Sequence, residues 1–151
     1  RHLGVREIPG TNDAPFLRRW QAQLGAPWLG PSPWCGTFVA YCLRECSVST
    51  PKAWYRAKAY LDWGLVLDTP RVGCIVVYER QGGGHVGFVL GKDRDYRLLT
   101  LGGNQGDAVT IRAFEQYRVL GYRWPREAIG SMPNDPLPII RSAAPISTGE
   151  A

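Results

Sequence analysis

Histidine is the scarcest reactive side chain in this 151-residue chain, present only at positions 2 and 85. His2 adjoins the terminus, so a general base titrating near neutral pH inside the fold has one candidate, His85. No apolar run approaches the roughly 20 residues of a membrane-spanning helix; the best, Ile75 to Tyr78, is far shorter. The opening RHLGVREIPG carries charges at Arg1, Arg6 and Glu7 and has no apolar core, so it does not read as a signal peptide. It also begins without Met, which suits a processed chain or a cut fragment. There is no Cys-x-x-Cys pair and no His close in sequence to any of the four cysteines, which excludes the usual zinc patterns. No metal or cofactor is expected.

Charge of one sign is not concentrated anywhere. The 18 Lys and Arg are dispersed among 13 Asp and Glu, for a net +5. Nucleic-acid binding and membrane insertion are therefore not expected, whereas an anionic polymer such as bacterial wall material suits this balance. Hydrophobic residues make up 44% of the chain, enough for one domain core that needs no disulfide staples. Cys42, Cys46 and Cys74 are accordingly expected as small buried hydrophobes. The 18 Gly and 12 Pro predict a loop-rich fold with tight turns.

Thr11-Asn12-Asp13 offers N-caps to a helix whose face is Phe16, Leu17, Trp20 and Leu24 and which Gly25 ends. A Pro- and Gly-rich connection leads to a second helix over Cys35 to Cys46. Thr50-Pro51 is expected to open a third, running to Gly64. The period then changes. Strands are predicted over Gly73–Arg80, His85–Gly91, Tyr96–Leu101, Ala108–Phe114 and Tyr117–Trp124, joined by short turns into an antiparallel meander. The fold class is α+β, with N-terminal helices packed on a sheet of about five strands. Residues 1–127 form the domain, and the Pro-rich tail 128–151 wraps it or hangs free.

Three local features carry chemistry. Cys35, in GPSPWCGTFVAYC, stands where a Pro-rich loop enters a helix. There the helix dipole and unpaired N–H groups favour thiolate over thiol. Gly36 beside it leaves room for a substrate backbone. His85 follows three glycines at the head of a strand, in GGGHVGFVLG. LGGNQGD places Asn104 at the end of the next strand, where it could hold the imidazole tautomer. Gln105 and Asp107 are alternatives for that role. Trp34, with Gly36 and Gln105, is a candidate for substrate contact; the other reading of Trp34, and of Trp28, is that they pack the loop on the core.

The blocks PWCGTFVAYC, GHVGFVLG and LGGNQGD resemble those of the CHAP superfamily of cysteine- and histidine-dependent amidohydrolases and peptidases. With GVREIPG they resemble a phage- and bacteria-borne subfamily, related to the NlpC-type wall peptidases. The likeness runs from about Gly4 to Pro125. The Asp often found shortly before the Trp-Cys pair is absent from GPSPWC.

The resemblance implies a circularly permuted papain-like core. It also implies a monomeric peptidoglycan amidase or endopeptidase, with Cys35 as nucleophile, His85 as base and Asn104 as orienting residue. Such an enzyme would work in the bacterial periplasm or wall, as a phage endolysin or as a secreted lytic effector paired with an immunity protein. Acyl transfer by the same Cys-His pair, and a non-catalytic wall-binding module on the same fold, are the alternative readings.

Overall fold

The computed structural model describes residues 2–6, 15–30 and 33–148. Helix α1 spans Pro15–Gln23 and buries Leu17 and Trp20, as the spacing of its apolar face predicts. The proposed caps at residues 11–13, and residues 7–10 of GVREIPG, lie outside the described residues. Helix α2 spans Cys35–Glu45 and buries Phe38, Val39 and Leu43. Its C-terminal cysteines depart from expectation: Cys46 is exposed, Cys42 is half-buried, and Cys74 alone of the three is fully buried.

The third helix does not form as an α-helix. Turns follow Pro51, and a 3-10 helix covers Ala57–Asp62. The buried Tyr60 hydroxyl accounts for this: its single O–H is shared between the backbone oxygens of Gly36 (3.0 Å) and Trp54 (3.1 Å). Burial pushes its pKa well above the ordinary phenol value, so it stays a donor. One side chain thus ties the start of α2 to the 54–60 segment. A regular helix would carry Trp54 and Tyr60 along one axis and break that junction.

Six strands form one antiparallel sheet: β1 (Leu65–Leu67), β2 (Ile75–Arg80), β3 (Gly83–Lys92), β4 (Leu98–Gly102), β5 (Thr110–Phe114) and β6 (Val119–Trp124), in the order β1-β6-β2-β3-β4-β5. Four consecutive strands make the predicted meander, and β6 returns to pair with the outer edge of β2. The strand not anticipated is β1, whose three residues carry too little pattern to stand out. It is held by register with Trp124, Arg123 and Tyr122 of β6. With a few helices beside an antiparallel sheet, the fold is α+β and consistent with a papain-like core.

Alternation along β2 divides its side chains between two cores. Ile75 and Val77 join Val39, Ala40 and Leu43 of α2. Val76 and Tyr78 join Val89, Leu98, Phe114 and, from the C-terminal segment, Leu137. That segment wraps the domain. Lys92 N–H donates to Pro138 O, Ile140 N–H to Lys92 O, Ala113 N–H to Pro145 O, and Ser147 N–H to Ala113 O. The last two bonds cover the edge strand β5, which would otherwise offer an unpaired backbone to a second chain.

At Gly36 the start of α2 packs directly on the backbone of the 54–55 segment. A Cβ built there would stand 2.5 Å from the backbone oxygen of Trp54, which cannot rotate away. The glycine therefore serves the approach of the protein's own backbone, not that of a substrate. Gly36→Ala should lower stability by about 1–3 kcal/mol, the usual cost of overpacking, despite alanine's better helix propensity. The urea unfolding midpoint measures it, and an unchanged midpoint would contradict the close contact.

Candidate active site

Cys35 is the first residue of α2, preceded by Trp34 as N-cap. Pairing of β3 with β4 extends only as far as Phe88 opposite Leu101. At Val86 the β4 side of β3 is therefore open, and the backbone N–H of Val86 donates to the Cys35 sulfur. The His85 side chain reaches the same sulfur. Desolvation is the largest influence on this thiol and acts to raise its pKa. The charge of His85, its hydrogen bond, the Val86 N–H and the charge of Arg80 together outweigh it, leaving the thiol below its ordinary value. Two other thiols lack an imidazole beside them: burial pushes the half-buried Cys42 up to about 12 and the fully buried Cys74 up to about 11.

His85 is fully buried, opposite Tyr78 in the β2–β3 register. Its ring lies nearly parallel to Phe114, with centroids 5.3 Å apart, and Phe114 in turn stacks on Tyr78 at 4.1 Å. The ring plane is thereby set by packing. Its tautomer is set by Gln105. The Gln105 amide nitrogen donates to the backbone oxygens of Thr110 (2.8 Å) and Thr100 (3.2 Å). An oxygen could not take that place, so Oε1 is the atom that faces the imidazole. His85 Nε2–H then donates to Gln105 Oε1 at 2.8 Å. Nδ1 is left with its lone pair and no other hydrogen-bond partner among the described residues, on the ring that Cys35 meets.

The group on the ring is therefore Gln105, one of the alternatives to Asn104, and not Asn104 itself. Asn104 is buried with φ 56°, a left-handed conformation that asparagine tolerates; it shapes the turn that carries Gln105 inward. Asp107, also left-handed at φ 58°, is half-exposed in the same loop. Gln105 is almost fully buried behind the imidazole, so it does not serve as a substrate contact. Nor does Trp34. Its ring is 0% exposed and packs against Phe16 and Trp20, because the residue before Cys35 turns into the core. Trp28 is 69% exposed, its ring edge-on to Tyr55.

Gly102 permits the His85–Gln105 bond. A Cβ there would overlap Gln105 Oε1 and stand 3.2 Å from His85 Nε2. The glycine that precedes the loop thus gives space to the hydrogen bond itself.

Cys35 forms part of a groove of about 470 Å³. Leu29 and Tyr55 line one part of it; Arg56, Lys58, Arg80 and the glycines after Arg80 line the rest. These cations were not singled out in the sequence, where they are scattered among many others. Only their convergence on Cys35 distinguishes them.

The family model described as the CHAP domain matches residues 27–104, just over half of the chain. No curated protein and no solved structure matches.

Alkylation of Cys35 by iodoacetamide, followed site by site by mass spectrometry, should give a pH profile with its inflection below the ordinary thiol value. In His85→Ala the desolvation remains and its main opposition is gone, so the inflection should move to higher pH. An inflection unmoved by that substitution would contradict the electrostatic coupling.

Proposed function

The chain belongs to the CHAP domain family of peptidoglycan hydrolases, in general cysteine- and histidine-dependent amidohydrolases, and we propose that it cleaves an amide bond of peptidoglycan by thiol catalysis at Cys35. The observation that carries this reading is the buried thiol whose pKa is lowered next to an imidazole with one nitrogen committed to Gln105. A buried cysteine with no function would be expected to behave as Cys74 does.

In this mechanism the Cys35 thiolate attacks the carbonyl carbon of the scissile amide while the proton resides on His85 Nδ1. The carbonyl oxygen becomes an oxyanion. The backbone N–H of Cys35, at the first helical position and without an intrahelical acceptor, is placed to meet it. As the C–N bond breaks, His85 Nδ1–H protonates the leaving amine, and a thioester to Cys35 remains. Water then gives a proton to Nδ1 and attacks the thioester. Collapse of that second intermediate frees the carboxylic acid and restores the thiol pair.

Throughout, Nε2–H stays bonded to Gln105 Oε1, which orients the ring and stabilises the imidazolium. Gln105 is a positioning residue here, and Asn104 acts only through the loop. The place of action that fits this chemistry is the bacterial wall or periplasm, for a phage endolysin or an exported lytic protein.

Cys35→Ala should fold normally and fail to clear purified sacculi; full clearance by that variant would overturn the assignment. Digestion by the wild-type protein should add one water to each released muropeptide, whereas acyl transfer would add the mass of an amine acceptor instead. Gln105→Ala should lower kcat by about 10²-fold, the lower end of what a correctly held general base contributes, with KM little changed. Asn104→Gly, which keeps the left-handed turn, should retain most of the activity. The reverse ranking would return the orienting role to Asn104.

A further inference from the structure

The groove that contains Cys35 has a charge pattern that amide hydrolysis as such does not require. Arg56, Lys58 and Arg80 line it, and among the described residues no Asp or Glu does. The cations come from different elements: Arg56 and Lys58 from the entry to the 3-10 helix, Arg80 from the end of β2. They are not equally available. Lys58 is engaged by Glu79 at 3.3 Å, a pair half-exposed to solvent. The Arg80 guanidinium lies close enough to act on the Cys35 sulfur. Arg56 is exposed, and its guanidinium makes no ion pair or hydrogen bond among the described residues.

A planar donor without a partner beside the nucleophile is suited to a bidentate contact with a carboxylate. Leu29 and Tyr55 offer an apolar surface in the same groove. A larger concavity, of about 760 Å³, shares Arg80 but contains neither Cys35 nor His85, and its lining mixes Glu79 and Glu115 with Arg118. Charges balance in that neighbour, whereas the groove at the thiol keeps an excess of positive charge.

We propose that this groove selects acyl-donor peptides bearing a free carboxylate next to the scissile amide, with Arg56 as the residue that clamps it. The proposal rests on the hydrolase reading and adds the substrate class to it. The carbonyl to be attacked would lie over Cys35, with the neighbouring carboxylate on Arg56 and an apolar side chain against Leu29 and Tyr55. Peptides whose corresponding carboxyl groups are amidated would lose the charge-assisted bond and be poor substrates.

The test compares purified peptidoglycan with the same material after its carboxylates are converted to amides with carbodiimide and ammonia. Wild-type protein should release muropeptides from the untreated wall about ten- to a hundredfold faster, the size of one charge-assisted hydrogen bond. Arg56→Gln should slow release from the untreated wall and leave the amidated wall unaffected, so that the two rates converge. Equal wild-type rates on both walls would overturn the carboxylate site while leaving the hydrolase intact. Failure to cleave either wall would count against the hydrolase reading itself.

The charge of the groove is read independently by the rate ratio of iodoacetate to iodoacetamide at Cys35. A ratio above that of free cysteine, lowered in Arg56→Gln, supports the anion site. A ratio equal to that of free cysteine overturns it.

Discussion

The amide of Gln105 is the constraint from which the rest of the site follows. Its nitrogen is committed to two backbone oxygens of neighbouring strands, so its oxygen has a single direction in which to point. That direction determines which imidazole nitrogen of His85 carries hydrogen, and the other nitrogen is then the acceptor on the ring that meets the thiol. The proposed chemistry at Cys35 is thereby tied to the registry of β4 with β5, two strands that do not carry the thiol. A slip of one residue between those strands would move Thr100 against Thr110 and release the amide. The sheet is a mould for one hydrogen bond as much as a hydrophobic platform.

Glycine serves this arrangement in a way its clustering near the motifs did not suggest. Gly36, beside Cys35, looks in the sequence like clearance for a substrate. In the fold, Gly36 admits the Trp54 carbonyl and Gly102 admits the Gln105 oxygen. Both enable contacts within the protein. The glycines that line the groove are those of the turn after Arg80, Gly82 and Gly83 among them.

Much of this was legible from residue patterns, because most elements obey local periodicity. The α2 stripe of Phe38, Val39 and Leu43 and the β-branched run of β2 announce themselves. The segment after Pro51 did not, because a long-range bond from Tyr60 to Gly36 overrides its helical spacing. Cys35 and His85 stand out through scarcity and context. The choice between Asn104 and Gln105 was invisible, since it depends on which of two adjacent side chains a left-handed turn directs inward. Trp34 misleads for a related reason: proximity to Cys35 in sequence says nothing about which side of a helix start a ring occupies.

The wrapping of the C-terminal segment has a consequence for the protein's synthesis. Leu137 completes one of the cores that β2 serves, and residues 145–147 seal the edge of β5. While the ribosome still holds those residues, the sheet is bare on one face and open along one edge, although Cys35, His85 and Gln105 have already emerged. Acquisition of the final packed state is therefore deferred until residues 137–147 have left the ribosome. A nascent chain paused after β6 would present an unsealed β-strand to its neighbours on the same polysome.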